Sequence, residues 1–345
     1  MKKIDVNFKK PSQEQLNSLL ELYQTGKYPD AEKLSVSITE EFPKHPFAWK
    51  VLAIVFKQMG KVNESLITSQ KSVQLDPQDA EAHNNLGIIL KELGRLKEAE
   101  ASYRQAITLK ANFAEAHNNL GIILEELGRL NEAEASYRQA ITLKPDYAEA
   151  QNNLGIILQE LGRLNEAEVS LRQAITLKPD LAEAHSNLGN TLKDQGRLKE
   201  AEVSYGQAIA LKPDYAEAYN NLGVILQEQG ILKEAFSAYI QAINLNPNFT
   251  DAYVNLGIAI KNVRFNSSNV KLYPLLIRLL SNGNFARPID LAPSILSLLK
   301  HDPLIKNLLL EKNFAMSFKE ANSIIGSLDK LTLLHHLMRV CPLPD

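Results

Sequence analysis

Carboxamide side chains recur at one fixed point of a 34-residue period. The letters AEAHNNLG occupy residues 80–87 and again 114–121, and similar segments begin at residues 148, 182, 216 and 250. A carboxamide has two N–H donors and an oxygen acceptor, which match the polar groups of a peptide backbone. A regular row of such groups could therefore bind an extended chain. An asparagine stands directly before Leu-Gly in every segment, at Asn85, Asn119, Asn153, Asn187, Asn221 and Asn255.

Two further series accompany this asparagine at helical spacing, and we expect them to line a groove with it. Six amides that contribute roughly 1 kcal/mol each would fall short of the about 8 kcal/mol that micromolar binding needs. Apolar neighbours must therefore contribute as well. A second asparagine precedes the first in four segments, and an isoleucine follows the first by three residues in four segments. The second asparagines are Asn84, Asn118, Asn152 and Asn220, and the isoleucines are Ile88, Ile122, Ile156 and Ile258.

The same amides have a structural interpretation. An asparagine at this point could simply bond neighbouring helices. The copies are also not independent of one another, because the segments that begin at residues 80 and 114 agree at 29 of 34 positions. Duplication copies a residue whether or not it binds a ligand. The sequence leaves both interpretations open.

No catalytic or metal-binding motif accompanies the amides. The chain has no GxSxG, HExxH or glycine-rich phosphate loop. His83, His117 and His185 lie at equivalent places of the period, at least one unit apart, and one unit is roughly 10 Å between packed helices, whereas zinc ligands lie about 2.1 Å from one ion. The adjacent pair His335 and His336 would diverge on a helix. We expect no catalytic residue, cofactor or metal, and we expect Arg95, Arg129, Arg163 and Arg197 to pair with Glu98, Glu132, Glu166 and Glu200.

Composition limits the partners. The 345 residues include 38 Lys and Arg against 40 Asp and Glu, a net charge of −2, which does not fit a nucleic-acid-binding surface. No stretch of 18 apolar residues predicts a membrane span, and no apolar run follows the basic N-terminus as in a secretory signal. Cys341 is the single cysteine, so an intramolecular disulfide is excluded. We predict a cytoplasmic protein; nothing in the composition fixes its oligomeric state.

The period also predicts the elements that position the amides. Units begin at residues 12, 46, 80, 114, 148, 182, 216 and 250, and each reads as two helices. Gly94 and its counterparts end the first helix of each pair, because glycine accepts the left-handed backbone of such a turn. Small residues, such as Gly87, Ala99 and Ala106 in one unit, let the two helices approach closely. We expect Ala111, which replaces a proline, to loosen one junction or lengthen its helix.

These positions closely resemble the tetratricopeptide repeat family over roughly residues 12–262. The resemblance implies an all-α fold, a right-handed α-solenoid of helix pairs whose first helices line the concave face. It implies binding of a protein or extended peptide in that groove. The asparagine row is similar to the one in the repeat regions of O-linked N-acetylglucosamine transferases, which hold extended substrates. A clamp for acidic C-termini is not expected, because Glu81, Asn84 and Ile88 stand at the positions that it would need.

The array is expected to have divergent ends. We predict an N-terminal extension at 1–11, two capping repeats at 12–79, five well-matched repeats at 80–249, a partial repeat at 250–265 and a small helical module at 266–345. In the module we expect a loop at 282–288, helix starts at Asp302-Pro303 and Ser317, and a last helix at 331–339. Its stretches NGNFARP, SILSLLKHDP and LLHHLMRVCPLPD resemble the segment after the repeats in bacterial proteins with a methyltransferase-like domain.

Two functions follow from these expectations. The first is a non-enzymatic scaffold that binds an extended peptide or partner protein in the groove. The alternative is the substrate-recruiting N-terminal part of a larger transferase, either a glycosyltransferase of the type named above or a methyltransferase that uses S-adenosylmethionine.

Overall fold

The computed structural model describes residues 10–261, 263–267, 272–281, 288–299 and 301. The described residues form helices and connecting turns, with no strand among them. The chain divides into two compact units, Met1–Pro179 and Asp180–Asp345. The predicted helix starts after residue 301, the predicted last helix, His335, His336 and Cys341 lie outside the described residues, as does nearly all of the predicted loop at 282–288.

The first unit contains five helix pairs. Within a pair the two helices pack on each other, and the second helix then packs on the first helix of the next pair. The helices are α1 (Gln13–Gln24), α2 (Tyr28–Glu41), α3 (Pro46–Gln58), α4 (Val62–Leu75), α5 (Ala80–Glu92), α6 (Leu96–Leu109), α7 (Ala114–Glu126), α8 (Leu130–Leu143), α9 (Ala148–Glu160) and α10 (Leu164–Leu177).

The second unit continues the same alternation and adds two helices beyond the regular period. The predicted fold class, an all-α solenoid of helix pairs, is thereby confirmed. The helices are α11 (Ala182–Asp194), α12 (Leu198–Leu211), α13 (Ala216–Glu228), α14 (Leu232–Leu245), α15 (Thr250–Ile260), α16 (Tyr273–Ser281) and α17 (Pro288–Leu299).

A glycine turn joins the two helices of each pair. At Gly94 the backbone φ is 70°. The Gly94 N–H donates to the Lys91 carbonyl, and the Arg95 N–H donates to the Leu90 carbonyl, both at 2.8 Å. These two bonds satisfy carbonyls that the end of a helix would otherwise leave without partners. The same turn occurs at Gly26, which the repeat pattern of the sequence did not reveal.

The Ala111 substitution does not change its junction as expected. Helix α6 ends at Leu109, one period before α8 ends at Leu143. The backbone of Lys110 then donates to the Ala106 carbonyl at 2.9 Å, as Lys144 does to Ala140. The turn therefore forms without proline, because the backbone bonds and the next helix fix it.

The core of each regular pair is a glycine that faces a large side chain. A methyl group added at Gly121 would lie 2.6 Å from Cε1 of Tyr137, which is fully buried. At the equivalent place in the next pair, the added carbon at Gly155 would lie 2.5 Å from Cγ of Leu171. Interiors are packed at crystal density, so such a contact forces neighbours to move.

The first two pairs lack the contact between a glycine and a large side chain. Ser35 and Ser69 stand where the tyrosine is expected, and both are buried. Leu19 and Ala53 stand where the glycine is expected, and they are buried as well. In the first pair the larger residue, Leu19, therefore lies on the first helix and not on the second. In the second pair both residues are small.

The end of the array is continuous with its described C-terminal helices. Tyr273 begins α16 one period after Tyr239, and both are buried in one apolar cluster with Tyr253. Helix α17 is bonded to the residues after α15: the Phe265 N–H donates to the Ser297 hydroxyl at 3.0 Å. The described part of the predicted module therefore extends the core of the second unit.

Candidate functional site

The two asparagines of each segment occupy different environments. Asn84, Asn118, Asn152 and Asn220 are between 5% and 8% exposed, so they are buried between helices. From the sequence we expected these residues beside the first series on the groove surface, and this placement is wrong because they are buried. Two residues that are adjacent in a helix lie about 100° apart, so one of them turns towards the packed neighbours. We call these four residues the buried asparagines.

The asparagines before Leu-Gly are partly exposed, and we call them the asparagine row. Their members are Asn85, Asn119 and Asn153 in the first unit, and Asn187, Asn221 and Asn255 in the second. Asn187 already makes an interaction within the protein.

Four of the row asparagines donate a hydrogen bond to the preceding helix pair. Asn119 Nδ2 lies 3.1 Å from Asn84 Oδ1, and Asn153 Nδ2 lies 3.2 Å from Asn118 Oδ1. In the second unit Asn255 Nδ2 donates to Asn220 Oδ1 at 3.0 Å. The amides thus hold neighbouring pairs together, which the structural interpretation anticipated.

One link uses a different acceptor. The segment at 182 has Ser186 in place of a buried asparagine, and there Asn221 Nδ2 donates to Asn190 Oδ1 at 3.1 Å. Asn190 stands one turn further along α11 and also accepts a bond from the hydroxyl of Tyr205 at 2.6 Å. The inter-pair bond is therefore kept although its acceptor has moved.

Two members of the asparagine row keep unused hydrogen-bond donor and acceptor sites. A carboxamide has two N–H donors and two acceptor sites on its oxygen. Asn153 uses one donor on Asn118, and its oxygen accepts from Asn152 at 3.4 Å. Asn119 uses one donor on Asn84, and no other bond to its side chain occurs among the described residues. Each keeps at least one donor and one acceptor site for an added ligand.

Apolar residues lie on the same helices as the row. Ile88, Ile122 and Ile156 follow their asparagines by three residues, and all three are partly exposed. Ile88 and Ile122 also pack against the apolar core of the first unit, which fixes their positions. In the second unit Ile258 is 52% exposed at the equivalent place of α15.

The two ends of this helix face differ in charge in the first unit. Near the start of the helices, acidic side chains have lysine partners: Glu149 pairs with Lys178 at 3.0 Å and Glu115 with Lys144 at 3.4 Å. Near the other end lie Glu92, Glu126 and Glu160, all exposed, which we call the carboxylate edge. Lys91 contacts this edge, with its Nζ 3.2 Å from Glu126.

A fourth carboxylate lies behind the edge. Glu125 accepts a hydrogen bond from the buried Tyr137 hydroxyl at 2.8 Å. Burial raises the pKa of Glu125, and the charges of Glu160 and Glu126 add to that increase. The bond from Tyr137 and the charge of Lys91 act in the opposite direction without cancelling it. This end of the surface therefore has a negative potential.

The histidines and arginines serve the fold. His83 Nε2 bonds the Pro77 carbonyl at 3.0 Å, and His117 bonds the Ala111 carbonyl at 3.2 Å. Among the described residues, no three His, Cys, Asp or Glu side chains are grouped to hold a metal ion. The expected pairs form, as between Arg129 and Glu132 at 2.6 Å.

The ion pairs that join neighbouring helix pairs were not predicted from the sequence. Arg129 also binds Glu100 at 2.8 Å, and Arg163 binds Glu134 at 2.7 Å. Burial alone would raise the pKa of Glu100, but bonds from Arg104 and Arg129 hold it below its ordinary value. The 29-residue offset between the partners of each ion pair was the available signal.

Family models identify the repeats. A model described as TPR repeat matches residues 87–128 and 189–230. Models described as tetratricopeptide repeat match residues 68–101, 112–180 and 216–249. No curated protein sequence matches the chain.

Solved structures show the same fold at low identity. The APC/C hetero-tetramer Cut9-Hcn1 aligns with a TM-score of 0.63 and 18% identity over 72% of this chain and 49% of its own, so this chain spans about half of that one. A tetratricopeptide repeat protein from Parabacteroides merdae gives 0.57 and 17%, over 72% and 98% of the two chains. PilF of Pseudomonas aeruginosa gives 0.54 and 20%, over 60% and 94%.

The described helices include none that is both long enough and apolar enough to cross a bilayer.

Proposed function

Because this chain is built from tetratricopeptide repeats, we propose that it is an interaction scaffold whose asparagine row binds the main chain of an extended peptide. The carrying observation is that Asn119 and Asn153 stay partly exposed and keep unused donor and acceptor sites after bonding the preceding pair. The repeat fold supports a role in protein binding. The groove and its residues are our proposal.

The spacing of the row suits an extended chain in the polyproline II conformation, which has three residues per turn. Packed helices lie about 8–10 Å apart, and such a chain rises about 3.1 Å per residue. One repeat therefore corresponds to about three residues of a bound peptide. Main-chain groups at every third residue would meet one asparagine each, whatever their side chains are.

The inter-pair bond assists such binding. A free asparagine side chain loses rotational freedom when it binds a ligand, and this ordering costs affinity. Asn119 and Asn153 are already held by Asn84 and Asn118. Part of the ordering cost is thus met during folding. The structural role and the binding role of the row are compatible with each other.

The amides of the first unit do not suffice alone. Three of them at roughly 1 kcal/mol each give about 3 kcal/mol, against about 8 kcal/mol for micromolar affinity. Ile88, Ile122 and Ile156 would add apolar contact with the side chains of the peptide. We expect weak, sequence-tolerant binding of extended chains.

Two substitutions separate ligand binding from helix bonding. Asn153→Ala and Asn118→Ala each remove the same 3.2 Å bond, but only the first removes exposed polar groups. We expect Asn153→Ala to weaken binding of a fluorescent, randomised twelve-residue peptide pool by about fivefold, the equivalent of one bond. Asn118→Ala should weaken binding less, because it removes only the bond that orders Asn153 and leaves the exposed amide in place. Fluorescence anisotropy measures binding, and thermal unfolding measures stability.

Two outcomes would contradict the proposed binding role. Equal losses of affinity in both variants would show that the amides act only between helices, and an absence of binding by the unsubstituted protein would reject the proposal. Recruitment of a substrate to a transferase, the alternative function, would require the same binding step. The peptide titration tests that step too.

A further inference from the structure

Three parallel rows cross the first helices of the first unit. On α7 the order along the helix is Asn119, Ile122 and Glu126, a spacing of three and then four residues. Helix α9 repeats it with Asn153, Ile156 and Glu160. Residues at such intervals share one helix face. An amide row, an apolar row and the carboxylate edge therefore run side by side over one surface.

Helix α5 begins the same pattern. It carries Asn85, Ile88 and Glu92, and its Lys91 is the cation that contacts Glu126 of the next pair. The edge thus carries three exposed carboxylates, with Lys91 as the cation bound to it in the described part of the chain.

The opposite end of the helices has no comparable excess. Lys50 binds both Asp79 and Glu81, at 2.8 Å and 3.1 Å, while Lys144 and Lys178 pair with Glu115 and Glu149. The surface is therefore asymmetric, with a balanced end and an acidic end. A chain bound on the amide row would have the acidic end along one side.

The distances fit cationic side chains. Seven residues of helix separate Asn153 from Glu160, which is about 10 Å at 1.5 Å per residue. Lysine and arginine have long flexible stems that lie along apolar surface while the charged group reaches a polar partner. Here the isoleucine row would receive the stem, and the carboxylate edge would receive the charge.

We propose that this surface takes an extended peptide in the polyproline II conformation, which places every third side chain on one side, with a lysine or arginine at about every third residue, its main chain on the asparagine row and its cations on Glu92, Glu126 and Glu160. This inference rests on the proposed function and names its ligand class. Acidic peptides are disfavoured, because like charges repel at the edge. Charge complementarity of this kind sets specificity in addition to affinity.

A charge series of peptides tests the preference. The probes are fluorescein-labelled twelve-residue peptides with the repeats Lys-Ser-Val, Gln-Ser-Val and Glu-Ser-Val, measured by anisotropy at low salt. We expect the lysine peptide to bind at least tenfold more tightly than the glutamine peptide, and the glutamate peptide to bind most weakly. Raising the salt should reduce the difference, because exposed charges are screened.

A matched pair of variants locates the preference. The triple change Glu92→Gln, Glu126→Gln and Glu160→Gln should bring the lysine and glutamine peptides to within about twofold of each other. The control changes Glu40, Glu64 and Glu234 to glutamine, which alters the net charge equally at exposed sites on second helices. The control should keep the full preference.

The outcomes distinguish the two proposals. Equal binding of the lysine and glutamine peptides by the unsubstituted protein would overturn the charge inference and leave main-chain binding intact. An equal loss in both triple variants would also overturn it, since attraction would then follow net charge. Failure of every peptide, including the randomised pool, would reject the proposed function as well.

Discussion

At the scale of single residues, adjacent asparagines of one helix have different environments: Asn118 is buried between helices, and Asn119 is partly exposed. Period and residue type are the same for Asn118 and Asn119, and only the direction of each side chain separates them. That direction depends on where the neighbouring pair lies, which no local pattern specifies. The glycine positions were more predictable, because a close contact tolerates few residue types. Even there, Leu19 and Ala53 show that the partner decides what fits.

Two glycine-to-alanine changes should have opposite effects. Gly121→Ala places a carbon 2.6 Å from Tyr137, and overpacking of this kind costs about 1–3 kcal/mol. Gly206→Ala lies inside α12 with no heavy atom within 4 Å, so it should stabilise by about 0.5–1 kcal/mol. Thermal unfolding followed by circular dichroism measures both.

The sign of the difference is the result that matters. Both variants add one methyl group to a helix, so helix propensity is matched and only the surroundings differ. A stabilised Gly121→Ala variant would contradict the packing described for Tyr137.

At the scale of elements, the repeat pattern located the helices because each pair meets the same requirements. Apolar spacing, a turn glycine and small contact residues all point to one arrangement. The pattern did not reveal α16 as a continuation of the core, because Leu276 stands where the second helix of a regular pair has an alanine, although Gly257 and Tyr273 keep the expected residue types. The bonds between pairs were also missed. Glu100 and Glu134 look like ordinary exposed carboxylates until the next pair supplies an arginine.

These ion pairs should make stability depend on pH in the acidic range. The folded pKa of Glu100 lies below its unfolded value of about 4.3. Its contribution is therefore complete above the unfolded pKa and is lost as the pH falls through the folded pKa. Arg129→Gln removes bonds to Glu100 and Glu132. We expect a lower melting temperature at pH 7 and a much smaller difference from the unsubstituted protein at pH 3.

A milder variant serves as the control. Arg95 bonds Glu98 within its own helix pair. Because that contact joins no second pair, Arg95→Gln should lower the melting temperature less than Arg129→Gln does. An Arg129→Gln effect that is the same at both pH values would show that packing, and not charge, is responsible.

At the scale of the whole molecule, the chain is two compact units assembled from neighbouring contacts. The sequence predicted the repeat architecture because the period is strong, but it did not predict a division between Pro179 and Asp180. The repeat pattern continues through this division. The proposed interaction role follows at this scale from the fold, whereas the proposed groove and the proposed charge preference come from the residues of the first unit.

A core substitution in one helix pair should destabilise mainly that part of the chain. Tyr273 is fully buried at the end of the second unit, so Tyr273→Ala should cost about 3–5 kcal/mol there. In repeat proteins each pair is stabilised mainly by its neighbours. We expect faster hydrogen exchange in α15, α16 and α17, and unchanged exchange in α5 to α8, by mass spectrometry.

An exposed residue of the same region provides the comparison. Ile258 on α15 is 52% exposed, so Ile258→Ala should leave exchange almost unchanged. If Tyr273→Ala accelerated exchange equally in α5 to α8, the chain would unfold as one cooperative body and the locality expected of repeats would not hold.

The bond between a member of the asparagine row and the buried asparagine of the preceding helix pair affects how such an array can lengthen. A regular segment carries both halves of the contact, a donor such as Asn119 and an acceptor such as Asn118. A copied segment inserted beside its parent would supply the donor at one new junction and the acceptor at the other, without any further mutation. The 29 of 34 residues shared by two adjacent segments are what growth by this route leaves behind. A ligand-binding surface that lengthens in this way gains one contact site with every copy.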